Sequence, residues 1–145
     1  MNKDQILAKL KANIEKLKLI NFRLVTGGDL ILFLGRDQAS GTSGDKSFWI
    51  ESAWRICENK KLLGGSLDEE SALPILRSLQ GKHLESVTLK EYGDLMIYFE
   101  GGVVIESFIR SLDDEQWELR EKDGVRIGLG KHLKFFMKKV NPDEM

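Results

Sequence analysis

Two stretches of the chain repeat one short pattern, a Gly-Asp pair leading into alternating large apolar residues. This repetition constrains the fold more than any other feature. Gly28-Asp29-Leu30-Ile31-Leu32-Phe33-Leu34-Gly35 is the first copy, and Gly93-Asp94-Leu95-Met96-Ile97-Tyr98-Phe99-Glu100-Gly101 the second. Glycine at the turn supplies positive φ and aspartate bonds locally to backbone amides, so each copy specifies a turn feeding a β-strand. An Ile-Glu-Ser triplet follows each copy, at Ile50-Glu51-Ser52 and Ile105-Glu106-Ser107, and then a tryptophan, Trp54 or Trp117. The Gly-Asp blocks are offset by 65 residues and the triplets by 55. On that alignment the first copy holds ten extra residues, all in the Ser/Gly-rich stretch 35–47. The second copy turns in Gly101-Gly102 alone.

Around these blocks the other elements fall into place. Ile6, Leu7, Leu10, Ile14 and Leu17 recur at steps of three and four and predict an amphipathic helix over 3–20, with lysines opposite. Glu15 lies within reach of Lys11 and Lys18 along that helix. A strand over 22–26 turns at Gly27-Gly28 or Gly28-Asp29. Leu30, Leu32 and Leu34 line one face of the next strand, and Ile31 and Phe33 the other, so that strand is covered on both sides. A long strand over 48–58, bent at Ser52-Ala53, and a short one near 60–65 complete a first meander over 22–65. A middle helix over 68–80 follows; Ser71 as its N-cap would place Pro74 in the first turn. Residues 83–129 read as a second meander, punctuated by Gly93-Asp94, Gly101-Gly102, 112–115 and Asp123-Gly124. The segment 131–140 suits either a helix or a strand. The expected architecture is α+β in one domain spanning 1–145. It is a strongly bent antiparallel sheet or half-barrel built from two related meanders, with an N-terminal and a middle helix.

Chemistry is harder to find. Net charge is −1, without the basic excess of a nucleic-acid binder. The charge is uneven: residues 1–23 carry +4 and 131–145 carry +2, which leaves −7 for the middle. Cys57 is the one cysteine, so no intrachain disulfide forms, and it reads as a small buried apolar residue. A Cys57–His83 nucleophilic pair is the sharper alternative. His83 and His132 lack ligand spacing, so no metal is expected. Gly41-Thr42-Ser43-Gly44-Asp45-Lys46-Ser47 resembles a phosphate loop but puts a carboxylate before its lysine and leads into a strand. The runs Asp68-Glu69-Glu70 and Asp113-Asp114-Glu115 read as a helix start and a hairpin turn. No apolar stretch approaches the length of a membrane-spanning helix. A cytoplasmic, non-catalytic protein without cofactors, nucleic acid or membrane among its partners is the expectation.

Gly-Asp-Leu-x-Ile-x-Phe at Gly93–Phe99, Trp117-Glu118-Leu119, Asp123-Gly124 and the earlier Trp54-Arg55-Ile56 are similar to a group of small bacterial β-rich proteins of unknown function. Some of these resemble immunity proteins of toxin–immunity systems. The resemblance spans about residues 22–129 and rests on hairpin motifs, so it transfers no catalytic residues. It implies a protein that binds a toxin and blocks its site, and an acidic middle suits a basic toxin domain. Asp37, Trp49, Glu51, Glu106 and Glu118 are the candidate partner-binding residues, chosen for outward strand or loop positions. The alternative is a small-ligand binder using a cleft of the bent sheet.

Overall fold

The computed structural model describes residues 1–14, 16–36 and 45–141. It is an α+β structure with two helices and two antiparallel sheets. Helix α1 (Lys3–Ile14) precedes β1 (Lys18–Leu24), β2 (Leu30–Gly35), β3 (Lys46–Ile50), β4 (Ala53–Glu58) and β5 (Lys61–Gly65). Helix α2 (Glu69–Leu79) precedes β6 (Leu84–Leu89), β7 (Leu95–Phe99), β8 (Val103–Phe108), β9 (Trp117–Glu121), β10 (Val125–Leu129) and β11 (Phe135–Lys139). Sheet A has the order β1-β2-β3-β9-β10-β11, and sheet B the order β5-β4-β8-β7-β6.

This order has a simple cause. The 46–58 stretch breaks at Glu51-Ser52, so β3 lies in sheet A and β4 in sheet B. The chain from β8 to β9 crosses the opposite way. Each sheet therefore holds strands from both halves of the sequence. Backbone bonds from Leu19 N to the Lys82 carbonyl (3.0 Å) and from Leu84 N to the Leu17 carbonyl (2.8 Å) tie β1 to the segment entering β6.

The two Gly-Asp blocks make the same turn. Val25 N donates to the Asp29 carbonyl (2.9 Å) and Gly28 N to the Val25 carbonyl (3.0 Å). Lys90 N donates to the Asp94 carbonyl (2.8 Å) and Gly93 N to the Lys90 carbonyl (2.9 Å). Both are three-residue loops rather than the two-residue turn expected, with Gly28 at φ 97° and Gly93 at φ 100°. Each glycine carbonyl then receives an indole proton: Trp54 Nε1 reaches Gly28 at 2.7 Å and Trp117 Nε1 reaches Gly93 at 2.9 Å. The Ile-Glu-Ser triplets do not coincide in register. Trp49 lies opposite Ile31 and Glu106 opposite Met96, so with the Gly-Asp strands superposed Trp49, not Glu51, matches Glu106. The alignment slips by two residues.

Helix α1 stops at Ile14, short of the expected 20, and Lys16 turns the chain at φ 66°. Leu17 kept helical spacing, but it is buried beside the first residues of β1, where strand pairing outweighs the helical pattern. Glu15 lies outside the described residues. Helix α2 is capped by Asp68, which accepts from Ser71 N at 3.2 Å, so Ser71 is inside the helix and Pro74 lies past its first turn. The ambiguous tail resolves as a 3₁₀ turn (Lys131–Leu133) and then strand β11, which pairs with β10 from Val125↔Lys139 to Leu129↔Phe135. Among the described residues no helix is long and apolar enough to cross a membrane.

The core lies between the sheets and under both helices. Ile6, Leu10 and Ile14 seal it from α1, and Ala72, Leu76 and Leu79 from α2. Phe48 and Trp117 meet edge-to-face at its centre, ring centroids 6.4 Å apart.

Candidate functional site

The alternation of β9 builds a densely charged surface. Trp117 and Leu119 point into the core, so Glu118 and Arg120 point out. Register places Trp49 of β3 directly opposite Glu118. The Arg120 guanidinium lies over the Trp49 ring, 3.7 Å from its centroid, while the indole nitrogen donates to Ser47 Oγ at 2.9 Å. Arg120 also donates through Nε to Glu118 at 2.6 Å and stands 3.9 Å from Glu51. Arg126 of β10 approaches Glu118 at 4.0 Å from the other side. Glu51, Glu115, Glu118, Arg120, Arg126 and Lys138 line a recess of about 220 Å³ here. Glu118 is only 9% exposed, and the Arg126 Nε is buried without a partner among the described residues.

Burial pushes the Glu51 carboxyl above its ordinary value; the nearby Glu118 charge adds to this and Arg120 opposes it. The recess is balanced, three carboxylates against three cations. It can hold a polar or zwitterionic group, or a partner's side chains, against the Phe136 ring.

Three of the expected residues, Trp49, Glu51 and Glu118, thus come together. Glu106 does not join them: it lies on the outer face of sheet B. There Lys90 donates to it at 2.8 Å and Arg55 at 3.2 Å. Both cations also sit over the Phe108 ring, at 4.5 and 4.4 Å. Burial pushes the Glu106 carboxyl up, but Lys90 and Arg55 outweigh it and hold it below the usual glutamate value. Asp37 and most of the 35–47 insert lie outside the described residues. The residues not anticipated are the cations, Arg120, Arg126, Arg55 and Lys90. The Glu118-Leu119-Arg120 alternation was a signal for Arg120. Arg126 comes in across the adjacent β9–β10 hairpin and Lys90 from the loop after β6; only Arg55 is brought in by pairing between strands distant in sequence.

The remaining chemistry is sparse. Cys57 is half-buried on the outer side of β4 rather than enclosed in the core, because it shares the face of Arg55 opposite Val104 and Leu62. Strands β8 and β7 lie between it and the β6 side where His83 sits, so the two do not form a pair. His83 instead faces Glu100, Nδ1 to Oε1 3.3 Å. Burial raises the carboxyls of both motif aspartates, Asp29 against the pull of Arg110 and Asp94 against that of the Ile109 amide, Lys90 and Ser107. Among the described residues no group of three His, Cys, Asp or Glu side chains could hold a metal ion.

A second concavity opens on sheet B. It has a volume of about 590 Å³ and is lined chiefly by apolar groups, among them Leu62, Gly65, Leu67 and Phe108. Compared with known protein families, curated proteins and solved structures, the chain matches none.

Proposed function

We propose that this chain is a non-catalytic protein-binding module of a bacterial cytoplasm, of the immunity type, which covers the working site of a toxin. Its scaffold is a half-barrel of two related meanders, and the binding face is the outer surface of sheet A. The observation that carries this reading is the stack of Arg120 on Trp49 beside a charge-balanced recess. Tryptophan and arginine dominate binding hot spots: the indole offers large area with few rotamers, and the guanidinium offers a planar fork of directional donors. The balance of charge also narrows the partner. Glu118 is already matched by Arg120 and Arg126, so it attracts a basic domain less than a free carboxylate would.

The test is titration of the purified chain with the product of the gene adjacent to its own. Binding should weaken at least tenfold in Trp49→Ala and in Arg120→Ala, as expected of hot-spot residues worth about 2 kcal/mol or more. Tight binding unaffected by either substitution would move the interface off sheet A. A solitary gene without a toxin-domain neighbour would count against the immunity reading.

A second reading is a small-ligand site in the same recess, favoured by the three cations Arg120, Arg126 and Lys138 that line it. A ligand carboxylate there would pair with them. Thermal shifts with small carboxylic and amino acids that vanish in Arg126→Lys would favour it over the protein partner.

A further inference from the structure

Sheet A runs one strand past β10 and sheet B stops at β5, where an apolar groove lies beside the terminal strand. In sheet A, β10 is covered by β11, and Gly128 of β10 is paired with Phe136. Sheet B ends at β5. Gly65 of β5 is placed as Gly128 is. A Cβ on Gly65 would meet the Trp54 carbonyl at 2.5 Å and the Arg55 Cβ at 3.2 Å, and one on Gly128 would press on the Trp117 carbonyl and Glu118. Yet beside Gly65 the returning chain makes a single bridge, to Asp68, and then leaves as α2. Among the described residues Lys61, Leu62 and Leu63 keep an open edge, next to the apolar 590 Å³ groove floored by Gly64 and Gly65. Leu62 is 63% exposed and Leu67 fully exposed at its rim. An open strand edge beside exposed leucines is an association surface unless it is protected.

The occupant is set by charge order. From Lys60 to Glu70 the chain reads Lys-Lys-Leu-Leu-Gly-Gly-Ser-Leu-Asp-Glu-Glu: basic, then apolar, then acidic. Lys60, Lys61, Glu69 and Glu70 enter none of the ion pairs among the described residues. A strand running antiparallel to β5 would bring its N-terminal end to the acids and its C-terminal end to the lysines. The segment that satisfies this is an inverted copy of itself, and a two-fold axis makes the match reciprocal. We infer that β5 is the self-association surface of this protein. Two copies pair β5 to β5 across a two-fold, with Leu67 of each in the groove of the other and Lys60-Lys61 facing Glu69-Glu70.

This stands apart from the proposed partner face, which lies on the other sheet. Sedimentation velocity of the full chain, from micromolar to hundreds of micromolar, should show a species of twice 16.5 kDa. Leu67→Glu and Lys61→Glu should each return it to monomer, and Lys61→Glu combined with Glu70→Lys should restore the dimer. Both Leu67 and Lys61 are exposed, so circular dichroism should report an unchanged fold; Leu62→Glu is the second apolar variant. Trp49→Ala should leave the dimer intact whatever it does to partner binding. A monomer at every concentration, a dimer indifferent to Leu67→Glu and Leu62→Glu, or a charge swap that fails to restore association would overturn the inference. So would a groove filled by a peptide or small apolar molecule in a monomeric protein.

Discussion

Sheet A and sheet B meet the same local demands with different residues. Each receives a tryptophan whose indole proton goes to the carbonyl of a turn glycine, Gly28 or Gly93. Each carries a glycine where a side chain would strike that tryptophan's own carbonyl, Gly65 or Gly128. Each places a nearly buried glutamate on its outer face between two cations, Glu106 or Glu118. They part where the surroundings differ. Sheet A stacks a guanidinium on a tryptophan and continues past β10 with β11; sheet B sets its two cations over Phe108 and, among the described residues, ends at β5. The shared features hold the fold, and the unshared ones are where binding is to be sought.

The largest test of the shared part is the tryptophan pair. Trp117→Ala and Trp54→Ala should each cost about 3–5 kcal/mol, because both rings are fully enclosed. Phenylalanine separates them. The Trp117–Gly93 bond is buried and the Trp54–Gly28 bond only partly so. Trp117→Phe leaves the Gly93 carbonyl without its indole donor and should cost about 1–3 kcal/mol, with Trp54→Phe at the low end of that range. Urea unfolding of the four variants measures this. Equal costs for the two phenylalanine variants would break the distinction between a dry and a wet copy.

Much of this was legible in the chain because it is local. The Gly-Asp turns, the alternation of β2 and β7 and the Asp123-Gly124 turn depend on neighbours a few residues away. The end of α1 was not legible, since Leu17 fits a helix and a strand equally. The crossing of β3 into β4 and of β8 into β9 was not either; it is decided by pairing such as Arg55↔Glu106 and Trp49↔Glu118, between residues far apart in sequence. The candidate site suffered from the same limit. Glu51, Glu106 and Glu118 were identifiable as outward residues, but apart from Arg120 beside Glu118 their cations arrive from other parts of the chain. The matching triplets also misled: side chains on a strand repeat every two residues, so a slip of two keeps every face correct while changing every partner.

The triplet serines give a test of that slip. Ser107 Oγ accepts the buried Leu95 N–H at 2.9 Å, whereas Ser52 Oγ reaches only the carbonyl of its neighbour Ala53, at 3.4 Å. Ser107→Ala strands a buried backbone donor and should cost about 1–2 kcal/mol. Ser52→Ala should stay within about 0.5 kcal/mol of the parent. Hydrogen exchange at the Leu95 amide should quicken in the first variant alone. If both serines cost the same, the triplets are equivalent after all and the register argument fails.

The triplet glutamates give the smallest effect and the clearest sign. Glu106 titrates in the folded protein below its unfolded value, so its contribution is present above about pH 4.5 and is lost as pH falls through the lowered folded value. Glu51 titrates above its unfolded value, so its ionised form is a penalty at neutral pH that disappears as pH falls through the raised value. At pH 7, Glu106→Gln should therefore destabilise by about 1 kcal/mol, the worth of a charge-assisted bond to partly exposed cations. Glu51→Gln should be neutral or stabilising by a few tenths of about 1 kcal/mol. In acid both carboxyls of the parent are protonated, and both differences should shrink toward zero. Thermal midpoints measured from pH 3 to pH 8 would follow the two variants converging from opposite sides. If both variants lay below the parent at neutral pH, Glu51 would be a stabilising ion-pair partner of Arg120, and the recess on sheet A would be a structural cluster like the one around Glu106.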